Sequence, residues 1–340
     1  MRKFDYVAGV GGIGKGVLFR FLENTTLGRN ESRLAELSAA RDFCKLHIIL
    51  HYTALFSEGK WPVYPIACIG SDTNGDEILG DMQNVGLSTK YVQRVSDADT
   101  LYSVCFIYPN SDGGNITTIK SAAEQIKMQQ IDDFFAGPDA KGNGLLLAAP
   151  EVPVPIRKYF LAEGRKRGCY TAASFAPEEA CAFLQDKTLK DIDLLSLNIA
   201  EAIAVTGLNT GDIAAECYRK VSSIHRDITL VITNGASGCD LFSLGKRVSY
   251  PAHKMNVIST AGAGDSLLGT LLAAILHGIP LIDVSKNCSD ALSLAMACSA
   301  MKVTALDSIH FGLNRKALLR FIQDREISLS EETLKNFWPH

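Results

Sequence analysis

The sequence predicts an α/β protein with a mostly parallel central sheet and helices on both of its faces. The first observation behind this is an alternation. From Gly144 onward short apolar runs alternate with helical ones: LLLAA, then 155–167; GCYTAAS, then 178–185; DLLSLN, then 199–206; TLVITN, then a hairpin near Gly245. Strands separated by helices pair in parallel, because a helix is what returns the chain to the same end of the sheet. The second observation is scale. The 340 residues are 47% apolar and 21% charged, ordinary for a globular chain, and three-layer α/β folds reach this length around one large core. A net charge of −3 with mixed signs offers no basic surface for nucleic acid or for a membrane.

In chain order, Asp5 to Val10 reads as a first buried strand, and the glycine-rich GVGGIGKG, Gly9 to Gly16, follows it. This segment fits two phosphate motifs at once. Gly9, Gly11 and Gly14 satisfy G-x-G-x-x-G, while Gly9, Gly14 and Lys15 satisfy most of G-x-x-x-x-G-K-[ST]. Gly16 stands where the second motif needs a hydroxyl for magnesium, and the first needs a strand ending in an acid about twenty residues on. The chain continues instead as LENTTLGRNESRLAELSAARDF, polar and then helix-like, so a glycine turn beside a substrate cleft competes with both readings. Gly12, Gly14 and Lys15 are the substrate candidates it offers.

Leu46 to Phe56 is apolar enough for a buried helix, with His47 and His51 on one face. A zinc pair there lacks a third ligand nearby, so packing or substrate contact is expected of both. Pro62 to Ile69 reads as a strand, and LYSVCFIY and NITTI around Pro109 to Gly114 read as a hairpin. After Asp265 a long helical region is expected, with 283–303 rich in Ala, Leu and Met as core filling. Nine cysteines are scattered singly, the N-terminus lacks the apolar core of a signal peptide, and no run of about eighteen apolar residues occurs. These features predict a reducing, cytoplasmic location.

The stretch from Val257 to His277, VISTAGAGDSLLGTLLAAILH, organises the rest. Gly262, Ala263 and Gly264 let a backbone turn pass close to a ligand, and Asp265 follows where an apolar helix begins. The free N–H groups and positive dipole end of such a helix favour a phosphate. A carboxylate there repels the anion it faces unless it serves as a base for an attacking hydroxyl. A simple helix cap is the rival reading.

TAGAGD with its trailing helix resembles the DTxGAGD signature of the ribokinase-like (PfkB) carbohydrate kinases. Asn198-Ile-Ala-Glu201 resembles that family's N-x-x-E, although Asn and Glu three apart also describe a capping box. Thr233-Asn-Gly-Ala-Ser-Gly238 resembles its T-x-G-x-x-G nucleotide loop, and Gly70, Asp72 and Gly75 match G-x-D-x-x-G. The resemblance implies a three-layer ribokinase-like fold over one domain, 1–340, with a small β lid from segments within 12–50 and 95–120. It implies ATP and Mg2+ as cofactors, a sugar-like small-molecule acceptor, and leaves a homodimer open. Asp265 is then the general base, and Gly262, Ala263 and Gly264 form the anion hole with it. Asn198 lies near the phosphates, Glu201 holds metal-bound water, and Thr233, Gly235, Gly238 and Thr260 meet the nucleotide.

Departures from the pattern cluster at the sugar end. The sugar-binding Asp expected after the first strand falls at or near Gly14, and CKLHIILHYTALF lacks the usual Gly-Gly and Asn. Met296 stands about where an Asn approaches the adenine. Ser259 replaces the first Asp of DTxGAGD, an Asp often tied to a monovalent cation, so activity is expected to depend little on potassium, with the glycine loop set by packing alone. The expected function is ATP-dependent phosphorylation of a sugar-like hydroxyl. Its rivals are a kinase acting on a nucleoside, a non-catalytic nucleotide or sugar-phosphate binder, and a phosphotransferase built on Lys15.

Overall fold

The computed structural model describes residues 3–110, 113–185, 188–282 and 290–337. Its strands are β1 (Tyr6–Val10), β2 (Gly14–Phe21), β3 (Ala35–Leu37), β4 (Asp42–Phe43), β5 (Val63–Gly70), β6 (Val92–Val95), β7 (Leu101–Ile107), β8 (Gly113–Thr117), β9 (Gly144–Ala148), β10 (Tyr170–Ser174), β11 (Leu194–Asn198), β12 (Thr229–Thr233), β13 (Cys239–Ser243) and β14 (Lys246–Tyr250). The helices are α1 (Lys45–Ser57), α2 (Thr73–Asn84), α3 (Met128–Ala136), α4 (Val154–Lys166), α5 (Ala180–Gln185), α6 (Ile199–Thr206), α7 (Ile213–Ile224), α8 (Ala263–Leu276), α9 (Ala291–Lys302), α10 (Arg315–Asp324) and α11 (Glu331–Phe337).

The main sheet has the order β14-β13-β12-β11-β10-β9-β1-β5-β6. Its pairs are parallel from β12 through to β6, and β13 and β14 add an antiparallel hairpin at one edge. Every residue of β1, β5 and β9 is buried, as expected of strands covered on both faces. One face packs on α1, α2, α8, α9 and α10 through Leu46, Ile49, Leu271 and Leu294; the other packs on α3, α4, α6 and α7 through Phe134, Phe160 and Val221. A second sheet, β3-β2-β7-β8 with β4 also on β2, stands apart from the main one.

The glycine motif around Gly70 holds these two sheets in place. The Asp72 carboxylate caps α2 by accepting from the Gly75 N–H at 2.8 Å, and it accepts from the Thr100 N–H at 2.7 Å and the Thr100 hydroxyl at 2.8 Å. A Cβ on Gly70 would lie 2.4 Å from the Thr100 nitrogen, and one on Gly75 would lie 2.6 Å from the Gly70 carbonyl oxygen. The start of β7 is thereby clamped to the end of β5. A similar close approach joins α8 to α1, where a Cβ on Gly269 would lie 2.4 Å from the Ile49 carbonyl oxygen.

The glycine-rich segment leads into a strand, β2, and not into a helix, which removes both phosphate-motif readings of Gly9 to Gly16: neither has the helix N-terminus its phosphate needs. The helix-like run after it is corrected too. Residues 35–37 and 42–43 form β3 and β4 because β2 offers them an antiparallel edge, while Leu34 and Leu37 are exposed and give a helix nothing to pack against. The hairpin of β7 and β8 is present; Ser111 and Asp112 of its turn lie outside the described residues. So do residues 283–289 of the expected helical region, of which α9 is the described part.

Candidate active site

The turn before α8 tolerates no side chain at its corner. Gly262 has φ +73°, and a Cβ on it would lie 2.1 Å from the Ser308 carbonyl oxygen. The first helical bond runs from the Ser266 N–H to the Gly262 carbonyl at 2.8 Å, and the Ala263 N–H is bonded to the Thr260 carbonyl at 3.1 Å. The N–H groups of Gly264 and Asp265 therefore lie in the first turn with no acceptor within the helix. Thr260 and Gly262 to Asp265 of this turn border a cavity of about 620 Å³. Asn198, Glu201, Thr233, Gly235, Gly238 and Thr260 line the same cavity with Gly262, Ala263, Gly264 and Asp265, from segments up to 67 residues apart in the chain.

Each of the other two motifs has a local cause. Asn198 and Glu201 form a reciprocal capping box on α6: the Asn198 side-chain oxygen accepts from the Glu201 N–H at 2.9 Å, and the Glu201 carboxylate from the Asn198 N–H at 2.8 Å. Capping and lining the cavity are the same arrangement here. Gly238, at φ +95°, would place a Cβ 1.9 Å from the Tyr250 carbonyl oxygen, so the turn after β12 needs glycine. Met255, Val257, Met296 and Val303 make one wall of the cavity apolar.

Lys45, the first residue of α1, carries the charge that the motifs do not. Its ammonium donates to Glu201 Oε1 at 2.5 Å and to the Phe175 carbonyl at 3.4 Å. Burial works against its charge, yet Asp265, Glu201 and Glu151 outweigh burial and hold the ammonium above the ordinary lysine value. Burial pushes the Asp265 carboxyl up to about 6; Lys45 pulls it back, Glu201 and Asp42 add to the rise, and Lys302 opposes it. Such a carboxylate is ionised at neutral pH but close enough to it to accept a proton.

Glu151 marks the far side of Lys45. It is a non-glycine residue at φ +73°, strained backbone of the kind that accumulates at functional sites. Its Oε2 is buried without a hydrogen-bond partner among the described residues, and the Cys44 thiol is close enough to influence its carboxyl. Burial pushes it up to about 7, against the pull of Cys44 and Lys45. Gly12 packs on this residue, since a Cβ there would lie 2.4 Å from Glu151 Cβ. Gly14 borders the same corner, where a Cβ would lie 2.5 Å from the Leu101 carbonyl oxygen and 2.8 Å from Cys44 Sγ. Asp42 accepts from the Cys105 thiol at 3.3 Å across β2.

None of the five substrate candidates lines the cavity: Gly12 and Gly14 stand at the Glu151 corner, and the other three lie elsewhere. Lys15 points to α2 and pairs with Glu77 in a separate shallow pocket with Arg41 and Asp81. His47 and His51 are buried among Phe43, Tyr52 and Phe311, and burial keeps both neutral, His51 at about 4 and His47 well below its ordinary value. Neither lines the cavity, because α1 turns that face into the core.

The family model for pfkB family carbohydrate kinases matches residues 61–313. The chain belongs to that family. Ribokinase of Haemophilus influenzae is 25% identical over 263 residues, 76% of this chain and 80% of that one. Among solved structures, Arabidopsis thaliana ribokinase complexed with ribose and ATP superposes with a TM-score of 0.71 at 18% identity, covering 94% of this chain and 99% of that one. Burkholderia thailandensis nucleoside kinase in complex with inosine gives 0.70 at 20%, covering 94% and 97%. The chain is a carbohydrate kinase with the ribokinase-like fold.

Motif reading passed over Lys45, which lines the cavity, and Glu151, whose charge acts on Lys45 from outside that lining. A signal existed for Lys45, an isolated cation directly before an apolar helix. Glu151 gave none, because a positive φ is invisible in sequence. Its raised carboxyl has a measurable consequence. The folded protein holds this proton more tightly than the unfolded chain, so the stability it contributes is present below the ordinary glutamate range and is lost as pH rises through about 7. Thermal melts should therefore show the unmodified protein losing a few degrees relative to Glu151→Gln between mildly acidic and mildly alkaline buffer. Parallel melting curves for the two would show that Glu151 is not held protonated by the fold.

Proposed function

We propose that the protein transfers the γ-phosphoryl group of ATP to a hydroxyl of a sugar or sugar-like small molecule, with Asp265 as general base. The observation that carries this reading is one carboxylate, tuned to about 6, beside unpaired N–H groups at the start of α8 in a cavity walled on one side by apolar residues. The nucleotide lies along Thr233, Gly235, Gly238 and Thr260 with its base against Met255 and Met296. The acceptor lies between Asp265, Lys45, Glu151 and the Gly12–Gly14 corner. Its hydroxyl oxygen attacks the γ-phosphorus, the bond to the β-phosphate oxygen breaks, ADP leaves, and the hydroxyl proton passes to Asp265. The N–H groups of Gly264 and Asp265, within the Gly262 to Asp265 turn, hold the equatorial oxygens of the phosphoryl group in flight.

Magnesium fits this donor set through water. Among the described residues no cluster of three or more His, Cys, Asp or Glu side chains can cage a metal ion. Glu201 has each oxygen engaged once, by Lys45 and by the Asn198 N–H, which leaves one lone pair on each for a water molecule. Magnesium commonly keeps several waters and binds mainly to the phosphates; bound there, it would neutralise the developing charge. Asn198 and Glu201 would hold it at the phosphates.

Residues 1–340 act as one kinase domain, with the second sheet as its lid. The eight described cysteines are all free, which suits a reducing cytoplasm, and no helix among the described residues is long and apolar enough to cross a membrane. Leu34, Leu37, Ile116 and Ile119 are exposed on or beside the lid strands, an apolar surface that fits a second copy of the chain. Sedimentation as a monomer at every concentration would remove the homodimer.

A panel of sugars and nucleosides, read by ADP release, identifies the acceptor. On that acceptor Asp265→Asn should lower turnover by about 10²–10⁴-fold while calorimetric affinity for ATP stays close to that of the unmodified protein. A variant that keeps more than half of the turnover would remove Asp265 from the role of base.

A further inference from the structure

The last turn of α9 is sewn to the loop that carries the anion hole. The Ile258 and Ser259 N–H groups donate to the Val303 carbonyl at 2.8 and 3.2 Å, and the Ser299 hydroxyl donates to the Ala263 carbonyl at 3.0 Å. Between these bonds sits Lys302, fully buried, whose ammonium donates to the Ser259 carbonyl at 3.1 Å. A buried ammonium is costly unless nearby charge offsets it. Burial lowers this one to about 8, and Asp42, Asp307 and Asp265 are the carboxylates that oppose the loss. Asp307 is itself engaged by the Arg41 backbone N–H at 2.8 Å and by Arg41 Nε at 3.1 Å. Lysine carries three N–H donors, and only one has a protein acceptor here among the described residues.

Ser259 matters for what it is not. The resembled family places an Asp there, tied to a monovalent cation; a neutral hydroxyl offers an ion far less. In this chain a cation nevertheless stands at the Ser259 backbone, held covalently. We propose that Lys302 is a tethered cation behind the anion hole, a positioning residue that fixes the 259–265 loop and supplies the positive charge that an exchangeable monovalent ion would otherwise bring. The loop is thus not set by glycine packing alone. Its charge prevails at neutral pH, acts on Asp265, and does not depend on which salt is in solution. An ammonium group and a potassium ion are similar in charge and size, so each can occupy the other's place against a backbone carbonyl.

This inference rests on reading the cavity as a nucleotide phosphate site, and the two are separable. Affinity for Mg·ATP by calorimetry and turnover on the identified acceptor are compared in potassium, lithium and choline chloride at equal ionic strength. The unmodified protein should respond alike to all three. Lys302→Ala should lose on the order of tenfold or more in turnover in lithium or choline, because a unit charge near the transferring phosphoryl group is gone. Potassium or ammonium should restore most of that loss by filling the space left behind, an effect that a merely structural lysine would not produce. A severalfold stimulation of the unmodified protein by potassium overturns the proposal. So does a folded Lys302→Ala variant whose loss no cation repairs, or one with no loss at all. If Lys302→Ala melts out, Lys302→Met and Lys302→Arg decide: turnover retained in Arg and lost in Met supports a charge role, whereas equal turnover in both contradicts it. If the unmodified protein binds no Mg·ATP, the phosphate-site reading itself fails, and the salt comparison is not what removed it.

Discussion

On the proposed reading, everything at this site depends on keeping the Asp265 carboxylate ionised beside N–H groups that would hold an anion. Asp265 sits in the first turn of α8, where the helix dipole helps it, but burial and the neighbouring Glu201 and Asp42 work against its charge. Two lysines offset that pressure, Lys45 from the start of α1 and Lys302 from the end of α9. The glycines make the geometry available to them. Gly262 brings the turn against Ser308, and Gly269 brings α8 down onto Ile49 of α1, the helix that starts with Lys45. The packing of three helices on one face of the sheet is therefore also the electrostatic design of the site.

The parts that the sequence made legible are those whose meaning is local. GAGD before an apolar helix, N-x-x-E after DLLSL and T-x-G-x-x-G after TLVI each depend on a strand end, a tight turn and a helix or hairpin start, all within a few residues. The parallel core was legible for the same reason, since each buried strand is a continuous apolar run. The roles of Lys45, Glu151 and Lys302 were not, even though Lys45 stands out as an isolated cation, because each takes its role from a partner 40 or more residues away: Lys45 from Glu201, Glu151 from Gly12, Lys302 from Ser259. Lys15 shows the opposite error. A glycine-rich run followed by lysine has the spacing of a phosphate loop, but an edge waiting in β7 and β4 draws it into a strand, and its lysine turns to Glu77. The run after it has helical composition and still forms β3 and β4, because pairing with β2 satisfies its backbone and no apolar stripe gives a helix a place to pack.

The acceptor end is where this chain departs furthest from the family pattern, and the structure gives the departure a physical form. At Gly14 there is no room for the expected Asp, since even a Cβ would meet the Leu101 carbonyl and Cys44. Carboxylates are present all the same, from Glu151 on one side and Asp42 across β2 on the other. If Asp265 is the base, as proposed, hydroxyl recognition around it can be rebuilt from different strands, so the acceptor does not follow from the family alone.

The most direct test of the account is the pH dependence of kcat/KM for the acceptor, from about pH 5 to about pH 8, in the unmodified protein and in Glu151→Gln. A protonated Asp265 cannot take the hydroxyl proton, so the rate should fall as pH drops through about 6, and the same fall should persist when Glu151 is replaced. A profile flat across that range, or a fall that vanishes with Glu151→Gln, would contradict the assignment of Asp265 as the base on which the site is built.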